Sequence, residues 1–572
     1  MTEFIIVLSV VFITAGALLL VANQFGFPPV PFYIIAGLLT GAVVDQSAIV
    51  DLALWGIAFL VFVFGIRIDF SDLRSVLRDG ESAAFTQLIV VAPMAFAIGY
   101  LLCVGFGIDD PFRNAIYFAA AATLSSTLIG ISILQEGIRS SLVYGRLASS
   151  IHLFDDIVAV GALAVLSAET LTDPQLLTSK VGYTMLFLLA GVLIYRHGFP
   201  LFVRAADGGD ELILMGSISV LIAFIAAAEA VGISIVVGAF TAGIAIRNEG
   251  ANSIGVRNGI ESIKDFFVAI FFVTVGALVA LPTVEVLVFA AILCVLVVVF
   301  NPIVHTFAFA YEGYDGRTAF LAGSSLNQVS ELALVIAIQA WLLGTIATPL
   351  FDAVILASAV TMILSVLTAR YENSLYDAVF VRLVGERTEA IDSRSHVEDG
   401  LSDHVIIVGY GRQGRRLVAQ LEELEQPYVV IENDPAITDD LRAECTNYVF
   451  GDAMADHPIE RARLGEARLV VSTAEHAPVS ESLLDRETDA DLVLRAGSSR
   501  NARELLDAGA SYVSVPSVLA SDQLLENLGH VLDDDRVATT LEDEHRAYLE
   551  RIELAGSERG LDGSRIDPPD QY

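Results

Sequence analysis

Long apolar segments dominate the first 370 residues of the chain, and they constrain its fold more than any other feature. A helix needs about 20 mostly apolar residues to cross the hydrocarbon core of a bilayer. Thirteen segments meet or approach that length, at residues 4–23, 29–46, 50–66, 83–106, 112–134, 143–167, 180–201, 211–229, 232–247, 264–281, 283–310, 317–343 and 348–370. The first has no basic leading stretch and runs straight into the second, so we interpret it as a span and not as a cleaved signal peptide. The sequence therefore predicts a multi-span α-helical membrane domain of thirteen helices.

Charge separates this apolar part from a second, soluble part. Residues 1–380 carry 28 acidic and 14 basic side chains, a net charge of −14, whereas residues 381–572 carry 40 and 19, a net charge of −21. We predict a membrane domain at 1–375, a linker at 376–402, a soluble domain at 403–530 and an acidic tail at 531–572, with a possible helix at 539–553. Sustained basic patches are absent, so nucleic acid is not expected as a partner. The three cysteines lie far apart, which excludes a disulfide framework.

The basic residues also predict an orientation. With the N-terminus outside, twelve of the fourteen basic residues in 1–380 fall in inside loops, and only Arg113 and Lys180 fall outside. Cytoplasmic loops carry an excess of lysine and arginine, so we expect a multi-pass protein of the cell membrane with the soluble domain in the cytoplasm.

Lysine is nearly absent, since only Lys180 and Lys264 occur among the 33 basic residues. An acidic excess without lysine is typical of a halophile, in which salt screens the repulsion between carboxylates. A base composition that favours arginine codons is the alternative.

Two adjacent carboxylates, Asp155 and Asp156, lie in the sixth apolar segment. Ionisable side chains inside a membrane are costly and mark ion or proton pathways by default. A buried carboxylate can hold a proton or a monovalent cation but not both, and that competition is the chemistry of proton-coupled antiport. A pair buried only for packing is the alternative. His152, one turn away, is interpreted as a satisfied interior histidine, with proton relay as the alternative.

Polar clusters interrupt two other apolar segments. The fifth contains Thr123, Ser125, Ser126 and Thr127, and the twelfth contains a run from Gly323 to Glu331 that includes Asn327. Hydroxyls and freed carbonyls suit a monovalent cation where a membrane helix is broken, although small polar residues also serve helix packing. The two segments are seven spans apart and so run in opposite directions. Paired broken helices in inverted orientation point to a transporter site at a repeat interface.

The membrane half resembles the second family of monovalent cation:proton antiporters, which includes the Kef potassium-efflux systems and the NapA-type sodium antiporters. The motifs that carry this resemblance are at Leu124–Thr127, Gly145–Ile157, Gly238–Ile246, Phe271–Val279 and Asn327–Ala337. It implies a homodimer, a mobile core domain with inverted repeats and crossed broken helices, and alternating access by an elevator-like mechanism. It also implies that Asp156 binds the ion and that Asp155 tunes the site.

One departure from that family concerns the counter-ion of the first aspartate. Sodium antiporters with two aspartates pair the first with a lysine of the second broken helix. Here the fifth, sixth and twelfth segments contain no internal lysine or arginine, and the corresponding helix offers Asn327, Gln328 and Glu331. The choice between Na⁺ and K⁺ therefore stays open.

The soluble half begins with a dinucleotide-binding pattern. A buried-strand run, 403–408, precedes Gly409-Tyr410-Gly411-Arg412-Gln413-Gly414, a helical stretch follows, and a second strand ends at Glu432. Gly409 makes the tight turn, Gly411 lets phosphate approach and Gly414 permits close helix packing. The helix N-terminus and Arg412 would hold phosphate, and Glu432 would accept from ribose hydroxyls and disfavour a 2′-phosphate. A fold kept without a ligand is the alternative.

This half looks like a TrkA-N or RCK module with an α/β Rossmann-like fold. The resemblance implies regulatory binding of NAD(H) or an adenine nucleotide (AMP, ADP or ATP), dimerisation, and an adenine-side contact at Asp452 and Ala453. The family's usual acidic pair and asparagine after the fourth strand are replaced by Ala474–Pro478.

Together these features predict a Na⁺ or K⁺/proton antiporter controlled by a nucleotide. The alternatives are an RCK-gated potassium channel or an efflux system without strict proton coupling, and a membrane dehydrogenase. No TVGYG-like filter occurs, which argues against a channel. Too little chain follows the Rossmann pattern for a substrate domain, so we do not expect an enzyme.

Overall fold

The computed structural model describes residues 2–41, 46–67, 81–139, 142–166, 174–206, 210–247, 266–280, 282–376, 378 and 393–533. These residues divide near residue 390 into two compact units. Much of the predicted linker, and the predicted tail with its possible helix at 539–553, lie outside the described residues. The last described helix ends at Asp533, three residues beyond the expected end of the soluble domain.

The first unit is built from helices. They are α1 (Thr2–Phe25), α2 (Pro29–Thr40), α3 (Gln46–Arg67), α4 (Glu81–Thr86), α5 (Ala92–Phe106), α6 (Pro111–Thr123), α7 (Thr127–Arg139), α8 (Val143–Leu166), α9 (Pro174–Leu193), α10 (Phe199–Ala205), α11 (Asp210–Val231), α12 (Ile235–Ala245), α13 (Phe266–Ala277), α14 (Val284–Val295), α15 (Asn301–Glu312), α16 (Gly316–Ser324), α17 (Glu331–Leu342), α18 (Thr348–Arg370) and α19 (Glu372–Leu375). Every predicted apolar segment contains helix within the described residues.

Five continuous helices are long and apolar enough to cross a membrane by length and composition, among the described residues. They span Ala83–Phe106, Gly182–Ala205, Glu211–Val231, Val284–Glu312 and Thr348–Arg370. The fifth and twelfth predicted segments, by contrast, are each divided into two short helices.

Both divided segments break where the sequence is polar. Helix α6 ends at Thr123 and α7 begins at Thr127, while α16 ends at Ser324 and α17 begins at Glu331. The two breaks pair with each other through an isolated antiparallel bridge between Ser125 and Val329. Backbone groups inside a membrane must find protein partners, and pairing of the breaks supplies some of them.

Among the described residues, three helices contain a π-helical turn that ends two residues before a proline. These turns are Gln87–Val91, Ile194–Gly198 and Leu296–Phe300, which join α4 to α5, α9 to α10 and α14 to α15. Proline lacks an amide donor and clashes with the carbonyl four residues earlier, and a π turn relieves both problems. Two of the three turns lie beside the site described below.

Glycines bring helix pairs into close contact. A Cβ on Gly65 would overlap the carbonyl oxygen of Phe240, and one on Gly243 would overlap that of Phe62, so α3 and α12 cross at these two positions. Small residues allow the backbones of membrane helices to approach closely. Van der Waals contacts then stabilise the helix pair, because lipid provides no hydrophobic driving force between helices.

The second unit is a six-stranded parallel sheet in the order β3-β2-β1-β4-β5-β6. Its strands are β1 (His404–Val408), β2 (Tyr428–Glu432), β3 (Tyr448–Phe450), β4 (Ala467–Ser472), β5 (Asp491–Arg495) and β6 (Tyr512–Ser514). Its helices are α20 (Arg412–Glu423), α21 (Thr438–Glu444), α22 (Asp456–Arg461), α23 (Ala477–Leu484), α24 (Ser499–Asp507) and α25 (Pro516–Asp533). This order confirms the Rossmann-like fold.

The sheet is covered on both faces. Along β1, Ile406 and Val408 join one hydrophobic cluster while Val405 and Ile407 join another. Alternate side chains of a strand point to opposite faces, so both faces of the central strand are buried. The strand order reverses between β1 and β4, and the crevice at their carboxyl ends is where such sheets bind ligands.

Candidate functional site

Asp155 lies at the centre of a buried polar cluster in the first unit. Its side chain is 1% exposed. Ser125 donates to its Oδ2 from both the backbone nitrogen (2.8 Å) and the hydroxyl (2.5 Å), and Gln87 Nε2 donates to its Oδ1 at 2.5 Å. Three donors compensate for the lost hydration of a buried carboxylate. The first helix break is thus fixed to helix α8 by this aspartate.

Asp156 lies beside the same break. Thr127, the first residue of α7, donates its hydroxyl to Asp156 Oδ1 at 2.9 Å, and Asp156 is 6% exposed. Adjacent residues of a helix point about 100° apart, so the two aspartates face different surroundings. The structure brings together four of the predicted residues, Asp155, Asp156, Ser125 and Thr127.

Ser126 and Glu331 join the two breaks by their side chains. The Ser126 hydroxyl donates to Glu331 Oε1 in a short hydrogen bond, and Glu331 is fully buried in the first turn of α17. A carboxylate at a helix N-terminus is stabilised by the helix dipole. Gln328 Nε2 reinforces the junction by donating to the carbonyl of Ser126 at 3.1 Å.

Two predicted residues are placed differently. Asn327 donates from Nδ2 to Thr368 Oγ1 at 2.6 Å, on helix α18, and no hydrogen bond from its side chain to either aspartate occurs among the described residues. The Thr123 hydroxyl has no hydrogen-bond partner within the described part of the chain, whereas its carbonyl accepts from Gln87 at 2.8 Å. Asn327 therefore supports the second break, and Thr123 takes part through its backbone.

Sequence reasoning missed Gln87, Asn301 and His305. Gln87 opens the first π turn, while Asn301 and His305 follow the third. Asn301 Nδ2 donates to the carbonyl of Ala122 at 2.7 Å, and His305 Nε2 lies 3.2 Å from Gln87 Oε1. The available signal was a polar side chain inside an apolar segment and within a few residues of a proline, since π turns recur at functional sites.

His152 completes the cluster. Its Nδ1 lies 3.1 Å from Ser125 Oγ, and its Nε2 has no hydrogen-bond partner among the described residues although the side chain is fully buried. Because the Ser125 hydroxyl proton goes to Asp155, His152 Nδ1 is the donor to Ser125 Oγ. The imidazole packs directly on Gly130 of α7, where a Cβ would overlap it.

The second unit carries the predicted glycine loop at the carboxyl end of β1. Gly409 has φ of +94°, and a Cβ on Gly414 would overlap the carbonyl oxygen of Gly409. Gly411, at the N-cap of α20, has nothing within 4 Å of its Cβ position. A tight turn, an open position and a close helix approach are the three properties that a dinucleotide loop requires.

Glu432 closes this loop from the end of β2. Its Oε2 accepts from the backbone nitrogen of Tyr410 at 2.6 Å, and the side chain is 9% exposed. Burial raises the pKa of the Tyr410 hydroxyl, which donates to Glu444 at 2.7 Å. Arg415 lies over the Tyr410 ring, with its guanidinium carbon 4.8 Å from the ring centroid. The predicted ribose acceptor is thus positioned against the glycine loop.

The remaining predicted residues of this unit lie around the same sheet edge. Arg412 begins α20, and Asp452 and Ala453 follow β3, where Asp452 Oδ1 accepts from the Met454 backbone nitrogen at 2.9 Å. The segment after β4 contributes Glu475, which pairs with Arg495 at 3.0 Å. Arg495 also donates to Gln413 Oε1 at 2.9 Å, a contact that the sequence pattern did not indicate.

Comparison with known proteins identifies two families. The family described as "Sodium/hydrogen exchanger, transmembrane" matches residues 8–370, and the TrkA-N domain matches residues 405–516. The chain is 26% identical to the putative K(+) efflux antiporter KefB of Alkalimonas amylolytica over 87% of this chain and 77% of that protein. It is 25% identical to the putative cation/proton antiporter YbaL of Escherichia coli (strain K12) over 86% and 91%.

Both relatives are named as antiporters and neither is named as an enzyme, in agreement with the prediction of a transporter. Among solved structures, the sodium proton antiporter MjNhaP1 of Methanocaldococcus jannaschii is 13% identical, with a TM-score of 0.49, over 65% of this chain and 98% of that chain.

Proposed function

The chain belongs to the sodium/hydrogen exchanger family and carries a TrkA-N domain, and on this premise we propose that it exchanges a monovalent cation for protons under nucleotide control. The observation that carries this proposal is the buried pair Asp155–Asp156 beside two helix breaks that pair with each other. Buried carboxylates at broken helices suit alternating access better than a continuous pore.

Each aspartate has a separate role in this proposal. Asp156 binds the cation or the proton as substrate, with Thr127 as its hydrogen-bond partner. Asp155 tunes the site while it holds the first break through Ser125 and Gln87. Ser126 and Glu331 join the breaks, so that both move together when the site changes its access.

Transport then follows from competition at Asp156. A cation that arrives from one side displaces the proton, the core domain moves by an elevator-like step, and the cation leaves on the other side when a proton returns. We propose a homodimer through the membrane and TrkA-N domains, with the N-terminus outside and the TrkA-N domain in a salty cytoplasm.

The nucleotide site is the crevice between β1 and β4. We propose that Gly409, Gly411, Gly414 and the N-terminus of α20 hold phosphate, and that Glu432 accepts from ribose hydroxyls. Asp452 and Ala453 contact the adenine side. The ligand is NAD(H) or an adenine mononucleotide, and it regulates transport without reacting. The proposed domain extents are 1–375 for the membrane domain, 403–530 for the TrkA-N domain and 531–572 for the acidic tail.

The test uses the purified full chain in liposomes with a trapped pH indicator. Addition of K⁺ or Na⁺ outside the liposomes should drive protons out of the lumen. K⁺ is tested first because one relative is named a K⁺ efflux antiporter. Asp156→Asn should abolish this flux. Asp109→Asn, at an exposed loop carboxylate, is the matched control and should leave the flux unchanged. Full flux in Asp156→Asn would exclude the assigned role, and flux that does not change with NAD(H), AMP, ADP or ATP would exclude nucleotide control.

A further inference from the structure

His305 faces a hydrogen-bond acceptor at each ring nitrogen. Its Nδ1 lies 2.8 Å from the carbonyl oxygen of Asn301, and its Nε2 lies 3.2 Å from Oε1 of Gln87. A neutral imidazole carries one N–H and one lone pair, so it can satisfy only one of these acceptors. An imidazolium carries two N–H groups and satisfies both.

The orientation of the Gln87 amide is fixed by its other partners. Its Nε2 donates to the carbonyl of Thr123 at 2.8 Å and to Asp155 Oδ1 at 2.5 Å. Both partners are acceptors, so only the NH₂ group can face them while Asp155 is ionised. Oε1 is therefore the atom that faces His305.

The surroundings make this contact consequential. His305 is 2% exposed and Gln87 is 1% exposed, so neither side chain is open to bulk solvent. Two lone pairs that face each other in a buried site leave both groups unsatisfied, which is the costly case for buried polar groups.

We propose that His305 binds a proton and that its imidazolium, acting through Gln87, is the positive charge that faces Asp155. It takes the place of the lysine that the sequence lacks in the second broken helix. The inference rests on the proposed antiport function, in which the protonation state of the site matters, and it adds a second proton-binding group to that site.

Other ionisable groups around His305 are few. The elements that pack most extensively against α15 are Glu81–Thr86, Gln87–Val91, Leu296–Phe300 and Gly316–Ser324. Their ionisable residues are Glu81, whose side chain lies outside the described ones, and Arg317. Glu312 lies seven residues along α15, a rise of about 10 Å. Asp155 is reached from His305 through Gln87, and His152 of α8 contacts Ser125, which donates to the same carboxylate.

The network also allows an internal proton transfer. If Asp155 gains the proton that His305 loses, the Gln87 amide can rotate by 180°. Its oxygen then accepts from Asp155, and its NH₂ donates to the lone pair of His305 Nε2. One proton changes its position, and the summed charge of His305 and Asp155 stays zero. The hydrogen bond from Gln87 to the Thr123 carbonyl is lost. Gln87 thereby links the two protonation states.

The experiment compares variants of the full chain in liposomes, with K⁺-driven and Na⁺-driven proton flux measured from pH 5.5 to 8.5. His305→Gln keeps an amide donor toward Gln87 but cannot be charged, whereas His305→Lys restores a cation. We expect His305→Gln to move the pH optimum by about one unit or to reduce flux about tenfold, because a lost charge partner is worth about that much. His305→Lys should stay within about threefold of the parent chain.

The matched control is His197→Gln, at an exposed histidine of another π turn, which should keep the parent profile. An unaltered profile in His305→Gln, with flux intact, overturns the inference and leaves antiport standing. Absence of flux in the parent chain itself is instead a failure of the proposed function.

A second measurement decides the outcome if the variants fold poorly or the parent chain gives no flux. Nitrogen-15 NMR of the histidines in liposomes reports the protonation of each ring nitrogen, and the resonance absent from His305→Gln or His305→Lys belongs to His305. Two protonated nitrogens at a pH within 5.5–8.5 support the inference. A neutral ring throughout that range overturns it.

Discussion

Ser125 and Val329 form an antiparallel β-bridge at the point where two membrane helices break. The bridge is reinforced by the Ser330 backbone nitrogen, which donates to the Leu124 carbonyl at 3.1 Å. Ser125 also contacts Asp155 with its backbone nitrogen and its hydroxyl. One residue thus ties the second break and the first aspartate together, so that a change at the carboxylate reaches both breaks.

Removal of the Ser125 hydroxyl should weaken this junction without breaking the bridge. Ser125→Ala keeps the backbone contacts but removes one of the three donors to Asp155 and the hydroxyl that His152 Nδ1 contacts, at a cost of about 1–3 kcal/mol. We expect proton flux to fall several-fold and the melting temperature of the full chain to drop. Ser219→Ala, at an exposed serine that donates only to its own helix, is the control. Equal behaviour of the two variants would contradict the role given to Ser125.

The contact between Gly130 and His152 should not tolerate a methyl group. A Cβ at Gly130 would overlap the imidazole, which must then leave Ser125. Gly161→Ala adds the same methyl group to α8 where nothing lies within 4 Å, and it should be neutral or stabilising by about 0.5–1 kcal/mol. Gly130→Ala should lower both thermal stability and flux. A stable, active Gly130→Ala protein would show that the imidazole is not fixed in this position.

A methyl group at Gly411 should separate nucleotide binding from folding. The residue has extended backbone angles that any amino acid adopts, and its Cβ position is open. Gly411→Ala should therefore fold normally but occupy the space that phosphate needs, with affinity for NAD or AMP lower by about tenfold. Isothermal titration of the full chain measures this loss. Gly465→Ala, at another open glycine of the same unit, should bind normally, and equal affinities in both variants would argue against this phosphate site.

The soluble unit should lose stability in mild acid through His404. Burial lowers the pKa of this histidine below its ordinary value of 6.5, while its Nε2 donates to the Ala462 carbonyl at 2.8 Å. The unfolded chain then binds a proton that the folded chain does not, so stability is complete above pH 6.5 and falls as the pH drops below it. Hydrogen exchange of β1 in the full chain, corrected for intrinsic rates, should accelerate from pH 7 to 5. His404→Gln should flatten this trend, and a parent chain without the trend would refute it.

Cys445 should be an unreactive thiol. Burial raises its pKa to about 11, so only about one thousandth of the thiol is ionised at pH 8. Alkylation by iodoacetamide, followed by mass spectrometry of the Cys445 peptide, should be about a hundredfold slower in the native chain than in urea. Native labelling within tenfold of the denatured rate would show that this side chain is accessible.

Local patterns in the sequence predicted much of the architecture. Apolar runs located the helices, polar interruptions located both breaks, and the Gly409–Gly414 spacing located the Rossmann turn. Each of these signals depends on residues that are neighbours in the chain, because spans, breaks and turns are set by local apolarity and backbone preference.

What the sequence determined by itself is therefore the class of protein and the position of the two adjacent aspartates to which we assign its chemistry. The tertiary structure alone decided which side chains surround them: Gln87 and His305 come from distant helices, and Ser126 meets Glu331 across 205 positions of the chain. It also placed Asn327 in a hydrogen bond with Thr368, away from the two aspartates. The physical reason is that contacts between helices depend on their rotation and crossing, which glycine contacts and π turns fix only when the whole bundle is packed.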